Sequence, residues 1–284
     1  MQRPQEKAVC APAPRLCRVA RRNMINRGMI DLCDQSACPG MGQTVQSLSL
    51  KVGEDRIHYL KAGSGSPVLF LHGGACDSGD WIETMTALSG YCTCYAPDMV
   101  GYGLSDSNRD VYSLGDFVGC VRRFIETLDL GDLVLVGHSL GGRVCLEIAL
   151  QQPERVRKLV VVDMAGFSRM ARFGRLITYL AWALRELRGR PQPYPRFSKQ
   201  DGGYGGWLCL EQLPALKTPT LIVWSRYDPY YPLSAARRAA ELIPQARLEV
   251  LACCGHAPHR KKHDTFVRLL LDCVASASGA GHPR

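Results

Sequence analysis

One segment, residues 134–150, constrains the fold of this chain more than any other. Three apolar residues typical of a buried strand lead into the letters GHSLGG, and a helical apolar pattern follows. A serine between such a strand and helix lies on a sharp turn, so small residues are needed where the two backbones close around it. Gly137 and Gly141 provide that space. The segment predicts a strand, a tight turn that carries Ser139, and a helix.

Strands and helices alternate along the chain from Val45 onward. Two alternating segments, 47–52 and 56–60, flank a glycine and predict an antiparallel hairpin. Short apolar runs predict further strands at 67–71, 92–96, 133–136, 158–162, 220–224 and 247–251, with helices at 81–88, 113–128, 232–242 and 265–275 and another after Ser139. This alternation predicts an α/β fold with a doubly wound, mostly parallel sheet, in which chemistry lies beyond the carboxyl ends of the strands.

The composition divides the chain into a core and three appendages. Residues 1–44 are rich in arginine and proline and predict a flexible basic extension, while 276–284 predict a flexible tail. The segments 45–163 and 218–275 form the predicted core. Residues 164–217 interrupt it between two strands, and an amphipathic stripe at 169–188 followed by proline- and glycine-rich loops predicts a small lid.

The net charge of +9 is concentrated in the first 27 residues and in 166–200. A nucleic-acid binder places such charge on a reading element with aromatic or glycine-rich support, so we expect no nucleic-acid partner. The chain also lacks a run of about 18 apolar residues, which argues against a membrane-spanning helix.

The basic lid has three interpretations from sequence alone. It is a solvated charged face, a surface for anionic lipid, or a contact for an anionic substrate such as an acyl-CoA thioester. The lipid interpretation depends on arginines that flank apolar side chains: Arg169, Arg172 and Arg175 lie beside Phe173, Leu176 and Ile177.

The 13 cysteines are odd in number and scattered, and no secretory signal peptide precedes them. Reduced thiols in a cytoplasmic protein are therefore expected. The arginine-rich stretch 15–27 leaves mitochondrial import as the alternative. Cys33 and Cys38 lack a second pair and do not predict a zinc site. Four cysteines are expected to be buried strand residues: Cys92, Cys94, Cys253 and Cys254.

Five motifs in residues 45–275, about four-fifths of the chain, resemble the α/β-hydrolase superfamily. In the family's order they are LHGG at 71–74, PDMVGYGLS at 97–105, GHSLGG at 137–142, WSRYDP at 224–229 and GHAPH at 255–259. The resemblance implies the α/β-hydrolase fold, with a sheet of the eight-stranded type and a short helical lid. Two residues depart from the usual pattern. Ser225 replaces a common glycine before the acid, and Lys261 lies near a frequent glutamate.

The resemblance implies a catalytic triad in the chain order Ser139, Asp228, His256. A serine hydroxyl is a weak nucleophile until a base removes its proton, and His256, after the last predicted strand, is the matching base. Asp228 lies just beyond the strand 220–224, where it can accept the histidine Nδ1–H. Asp163 also ends a strand and is the rival for the acid.

The resemblance also implies an oxyanion hole made of two backbone N–H groups, those of Gly74 and Leu140. Asp98 is expected to organise the turn that contains Gly101 and Gly103. His259 and His263 have the spacing of one helical face, but no set of acidic partners converges with them. We therefore expect both to be solvated, with no metal site and no cofactor.

The resemblance to serine members of the family leaves several reactions open. Ester cleavage needs only a nucleophile, a base, an oxyanion hole and an acyl pocket, so a carboxylesterase acting on a small-molecule ester is the leading hypothesis. Thioesterase, lipase and carbon–carbon bond hydrolase are alternatives on the same triad, and a non-catalytic ligand-binding protein of this fold is another. The sequence does not determine the oligomeric state.

Overall fold

The computed structural model describes residues 44–190, 195–198 and 207–275. Several features of the sequence lie outside these residues: nearly all of the extension 1–44, with its arginine-rich stretch and Cys33 and Cys38, the glycine-rich stretch 202–206, and the tail 276–284. No helix within the described ranges has the length and apolarity needed to span a membrane.

Eight of the strands form one twisted sheet that is mostly parallel. The strands of the chain are β1 (Gln46–Val52), β2 (Asp55–Ala62), β3 (Pro67–Leu71), β4 (Thr93–Pro97), β5 (Val111–Tyr112), β6 (Leu133–His138), β7 (Val156–Val162), β8 (Arg196–Phe197), β9 (Thr220–Ser225) and β10 (Ala246–Leu251). The order in the large sheet is β1-β2-β4-β3-β6-β7-β9-β10. The hairpin β1–β2 and the pair β2–β4 are antiparallel, and the remaining neighbours are parallel. The predicted fold class is confirmed.

Helices cover both faces of this sheet. They are α1 (Ile82–Leu88), α2 (Leu114–Thr127), α3 (Leu140–Gln151), α4 (Arg172–Leu187), α5 (Leu233–Leu242), α6 (Pro258–Lys261) and α7 (His263–Ala275), with 3₁₀ turns at Ser78–Trp81 and Leu210–Ala215. Helix α2 begins with a capping box, in which the Ser113 hydroxyl accepts from the Asp116 N–H and the Asp116 carboxylate accepts from the Ser113 N–H. Such a cap satisfies two N–H groups that the helix itself leaves unpaired.

The core lies in two layers because alternate side chains of each strand point to opposite faces. Leu133 and Leu135 of β6 join the layer under α2 and α3, while Val134 and Val136 join the layer under α1 and α7. Burial on both faces explains why β6 and its neighbours are continuous apolar runs in the sequence.

Two features differ from the sequence predictions. The short strands β5 and β8 form a separate two-stranded sheet that ties the segment before α2 to the segment after α4. Periodicity does not reveal such strands because two residues carry no period. Cys253 is exposed at a positive φ of 58° just after β10, so its prediction as a buried strand residue is wrong. Cys92, Cys94 and Cys254 are buried as predicted, but only Cys94 belongs to a strand, because Cys92 lies just before β4 and Cys254 lies after β10.

Candidate active site

The turn between β6 and α3 holds Ser139 in a backbone conformation that side chains rarely adopt, with φ 50° and ψ −112°. A Cβ on Gly137 would lie 2.5 Å from the carbonyl carbon of Gly141, and a Cβ on Gly141 would lie 2.3 Å from the carbonyl oxygen of Leu71. Both glycines are therefore required by close backbone approach. The turn leaves the Ser139 side chain at the wall of a cavity at the carboxyl edge of the sheet.

Loops at this edge bring Ser139, His256 and Asp228 into one hydrogen-bonded chain. His256 Nε2 lies 3.0 Å from Ser139 Oγ, and His256 Nδ1 lies 2.8 Å from Asp228 Oδ2. The other Asp228 oxygen accepts a 2.7 Å hydrogen bond from the Tyr230 N–H, which fixes the carboxylate. An acid bonded to Nδ1 leaves the Nε2 lone pair directed at the serine hydroxyl, as nucleophile activation requires.

The rival acid, Asp163, lies beside this chain but is bonded elsewhere. Its carboxylate accepts the Ser225 N–H at 2.7 Å and the Ser225 hydroxyl at 2.8 Å. Burial and the negative charge of Asp228 raise the pKa of Asp163 to about 7. The departure at position 225 thus has a structural effect, because the serine hydroxyl supplies Asp163 with a hydrogen-bond partner that a glycine lacks.

His72 and Asp98 shape the loops opposite the serine. The buried His72 ring bonds the Gly73 carbonyl through Nδ1 at 2.8 Å and accepts the Met99 N–H at Nε2 at 3.0 Å. Asp98 accepts the Leu104 N–H at 2.8 Å and the Ser78 N–H at 2.6 Å, so its predicted role in organising the turn is confirmed.

The two expected oxyanion donors belong to segments that meet near Ser139. Gly74 lines the same cavity as the serine, and Leu140 is the first residue of α3. The first N–H groups of a helix have no partner within the helix, which leaves the Leu140 N–H available to a ligand.

A second buried cluster supports the loop that carries His256. His138 Nε2 lies 2.7 Å from the His256 carbonyl oxygen, and His259 Nε2 lies 2.9 Å from Asp80 Oδ2. The prediction that His259 is solvated is wrong: its ring is 1% exposed and packs on Trp81. Asp80 is the acidic partner that the sequence did not reveal, since 179 residues separate it from His259. His263 is half-buried rather than solvated.

Two groups of side chains in the described part of the chain have the donor types of a metal site: Asp80, His138 and His259, and Asp163, Asp228 and His256. Hydrogen bonds within and around these groups account for their positions. Arg260 Nη1 also lies 3.2 Å from Asp80 Oδ1, and its positive charge opposes a cation at the first group. The expectation that no metal is needed stays a prediction.

The cavity in front of Ser139 has a volume of about 290 Å³. The loop 73–76 forms one wall, Met170, Thr178 and Ala181 of the segment 164–217 form another, and Tyr230 and Tyr231 lie beside His256. No lysine, arginine, aspartate or glutamate of the described residues lines it.

Comparison with known proteins agrees with this geometry. The model of the alpha/beta hydrolase family matches residues 68–269. The chain belongs to this family. The matched range contains the strands and loops that carry Ser139, Asp163, Asp228 and His256.

Two curated relatives are hydrolases of hydroxy-oxo-dienoates, according to their names. The 2-hydroxy-6-oxo-2,4-heptadienoate hydrolase of Pseudomonas putida F1 is 27% identical over 75% of this chain and 91% of its own length. The 2-hydroxy-6-oxo-6-phenylhexa-2,4-dienoate hydrolase of Comamonas testosteroni is 29% identical over 76% of this chain and 90% of its own.

Solved structures give the same fold. A meta-cleavage product hydrolase from Pseudomonas fluorescens IP01 superposes with a TM-score of 0.69 at 26% identity, covering 81% of this chain and 98% of its own. An esterase from Thermogutta terrifontis gives 0.64 at 20% identity over 81% and 98%, which shows the shared fold alone.

Sequence reasoning missed the supporting residues His138, Asp80 and Ser225. His138 occupies the variable position of the G-x-S-x-G motif, where any residue type satisfies the pattern. Asp80 belongs to a 3₁₀ turn far from its partner in sequence. Ser225 was visible as a departure from the family pattern, and that departure was the signal that could have found its contact with Asp163.

Proposed function

We propose that this chain is a serine hydrolase that cleaves small, uncharged carboxylic esters through an acyl-enzyme on Ser139. The observation that carries the proposal is the hydrogen-bonded chain Asp228–His256–Ser139, which opens into a cavity where none of the described lining residues is a lysine, arginine, aspartate or glutamate. Because an ester carries no charge, it needs no cationic partner there.

In the proposed reaction His256 acts first as a base and then as an acid. His256 removes the Ser139 proton as the oxygen attacks the ester carbonyl, and Asp228 stabilises the imidazolium that forms. The N–H groups of Gly74 and Leu140 bind the oxyanion of the tetrahedral intermediate. His256 then protonates the leaving alcohol, and a water activated by the same ring releases the acid.

A carbon–carbon bond hydrolase is the second candidate, favoured by the names of the curated relatives. The substrate in each of these two names is a dienoate, so it carries a carboxylate. A buried carboxylate is costly unless it has a charged partner as well as hydrogen bonds. The described cavity lining offers no arginine or lysine for this purpose, which is why ester cleavage comes first.

The test is hydrolysis of p-nitrophenyl esters from acetate to palmitate, alongside a 2-hydroxy-6-oxo-dienoate, by wild type and Ser139→Ala. We expect turnover of the short esters, lowered at least about 10⁴-fold by the substitution because triad members act as a unit. Ser234→Ala, on the exposed side of α5, is the matched control and should retain full activity.

Other outcomes identify the alternatives. Cleavage of the dienoate without ester turnover would move the assignment to carbon–carbon hydrolysis. An optimum at long acyl chains favours a lipase, and a preference for acyl-CoA favours a thioesterase. A folded protein with no turnover and no labelling of Ser139 by a fluorophosphonate probe would contradict the proposal and favour a ligand-binding protein.

A further inference from the structure

Helix α4 turns its apolar stripe away from the protein. At about 100° per residue, five large side chains fall within an arc of roughly 80°. They are Phe173, Leu176, Leu180, Leu184 and Leu187, exposed by 63%, 51%, 56%, 45% and 85%. A surface helix of a globular protein normally directs such a stripe to the core.

The opposite side of α4 makes the contact with the rest of the molecule. Gly174 is its buried residue, and a Cβ there would lie 2.8 Å from the Pro229 carbonyl oxygen. Thr178 and Ala181 line the cavity in front of Ser139. The helix therefore contacts the protein through a narrow side that reaches the active site. The described residues leave its apolar stripe uncovered.

Arginines border this stripe on both sides. By helical geometry Arg172 and Arg188 lie about 80° to either side of its centre, whereas Arg175 lies about 140° from it, on the far side of the helix. Residues 169–190 contain six arginines and one acid, Glu186. Arg172, Arg175 and Arg188 are all exposed.

We propose that α4 binds an anionic lipid surface, with its axis in the plane of the interface and its apolar stripe inserted among the headgroups. Basic side chains at both borders of an apolar face match a flat negative surface, and their aliphatic stems can follow the apolar side chains while the guanidinium groups reach the phosphates. A second copy of this chain is a poorer fit, because pairing two stripes brings two rows of arginines together.

This arrangement would place the cavity behind α4 close to the lipid. An apolar ester dissolved in the bilayer then has a short path to Ser139. The lipid binding itself does not depend on the proposed function, and it can be measured without turnover.

The experiment uses the full chain carrying Ser139→Ala and flotation with phosphatidylcholine vesicles, with and without phosphatidylglycerol. One variant, Leu176→Ser with Leu180→Ser, removes part of the stripe, and a second, Arg172→Gln with Arg188→Gln, removes charge at both of its borders. The matched controls are Tyr91→Ser, at a site 65% exposed in the loop between α1 and β4, and Arg122→Gln on α2.

We expect the parent protein to float with anionic vesicles and to be released by high salt. The leucine variant should lower the partition coefficient at least about tenfold. The arginine variant should lower it about fivefold per residue at low salt. Both controls should bind as the parent does. Leu187→Ser, at a position 85% exposed, provides a single change that cannot disturb packing and should weaken binding in the same direction.

Three results would overturn the proposal. Absence of binding to anionic vesicles at low salt is the first. Binding that both the leucine variant and Leu187→Ser leave unchanged is the second, and it would move the contact elsewhere in the chain. The third is a dimer by light scattering that the leucine variant dissociates, without vesicle binding, which would make a second copy the occupant.

Discussion

At the scale of single residues, His138 has a role that its place in the motif does not suggest. Burial, together with the nearby His259 and His256, lowers the pKa of His138 well below its ordinary value. The ring is therefore neutral at pH 7, and its Nε2–H donates to the His256 carbonyl at 2.7 Å. His138 thus positions the proposed base through the backbone rather than through its ring.

Replacing His138 by alanine should lower kcat for ester hydrolysis about 10- to 100-fold, because small displacements of a catalytic group are costly. KM should change little, since the cavity keeps its other walls. Steady-state kinetics of His138→Ala measure both constants. His263→Ala, a half-buried histidine on α7, is the control and should behave as wild type. An unchanged kcat in folded His138→Ala would refute the positioning role.

At the scale of elements, the unit that matters is β6, its turn and α3. The strand is buried on both faces, and α3 starts directly after Ser139. The helix approaches so closely that Gly141 lies against the backbone at the end of β3. The strained serine conformation is maintained by this packing, because a strained residue persists only where its surroundings enforce it.

A Cβ on Gly141 has no room, so Gly141→Ala should lower the free energy of unfolding by about 3 kcal/mol, the upper end of ordinary overpacking. Activity should fall with it, because the turn must shift. Urea denaturation gives the free energy. Gly90→Ala is the control, since no atom lies within 4 Å of its Cβ position and its φ is not positive. Equal stability of the two variants would show that the turn relaxes freely.

At the scale of the whole molecule, the strand order decides which acids meet. Strands β7 and β9 are adjacent and parallel, so Asp163 after β7 and Asp228 after β9 reach the same edge. Their carboxylate oxygens and the His256 ring lie within 4.8 Å of one another. Two acids thus share one site.

This pairing makes stability depend on pH. The pKa of Asp163 is raised from 3.8 to about 7 by burial and by Asp228. Between these values the native state keeps a proton that the unfolded chain has lost, so Asp163 lowers the free energy of unfolding as pH rises through the interval, and its effect levels off above it.

Asp163→Asn should remove this decline and raise Tm at pH 8 relative to wild type, while the difference vanishes near pH 4. Differential scanning calorimetry across that range provides the test. Asp110→Asn, at an exposed site, makes the same change in charge and should leave the wild-type slope intact. A decline of wild-type size in Asp163→Asn would show that Asp163 titrates normally.

The sequence by itself determined the parts that depend on local pattern. Apolar runs locate the buried strands, with Pro67–Leu71 matching residue for residue, and the spacing of glycines around Ser139 reports a backbone crowding that any such turn must have. Motif order nominated Ser139, Asp228 and His256. Only the tertiary structure decided that Asp228, rather than Asp163, bonds the His256 ring, and that His259 is buried against Asp80. Those contacts join residues far apart in the chain, and the packing of the whole sheet brings them together, so no local period or spacing records them.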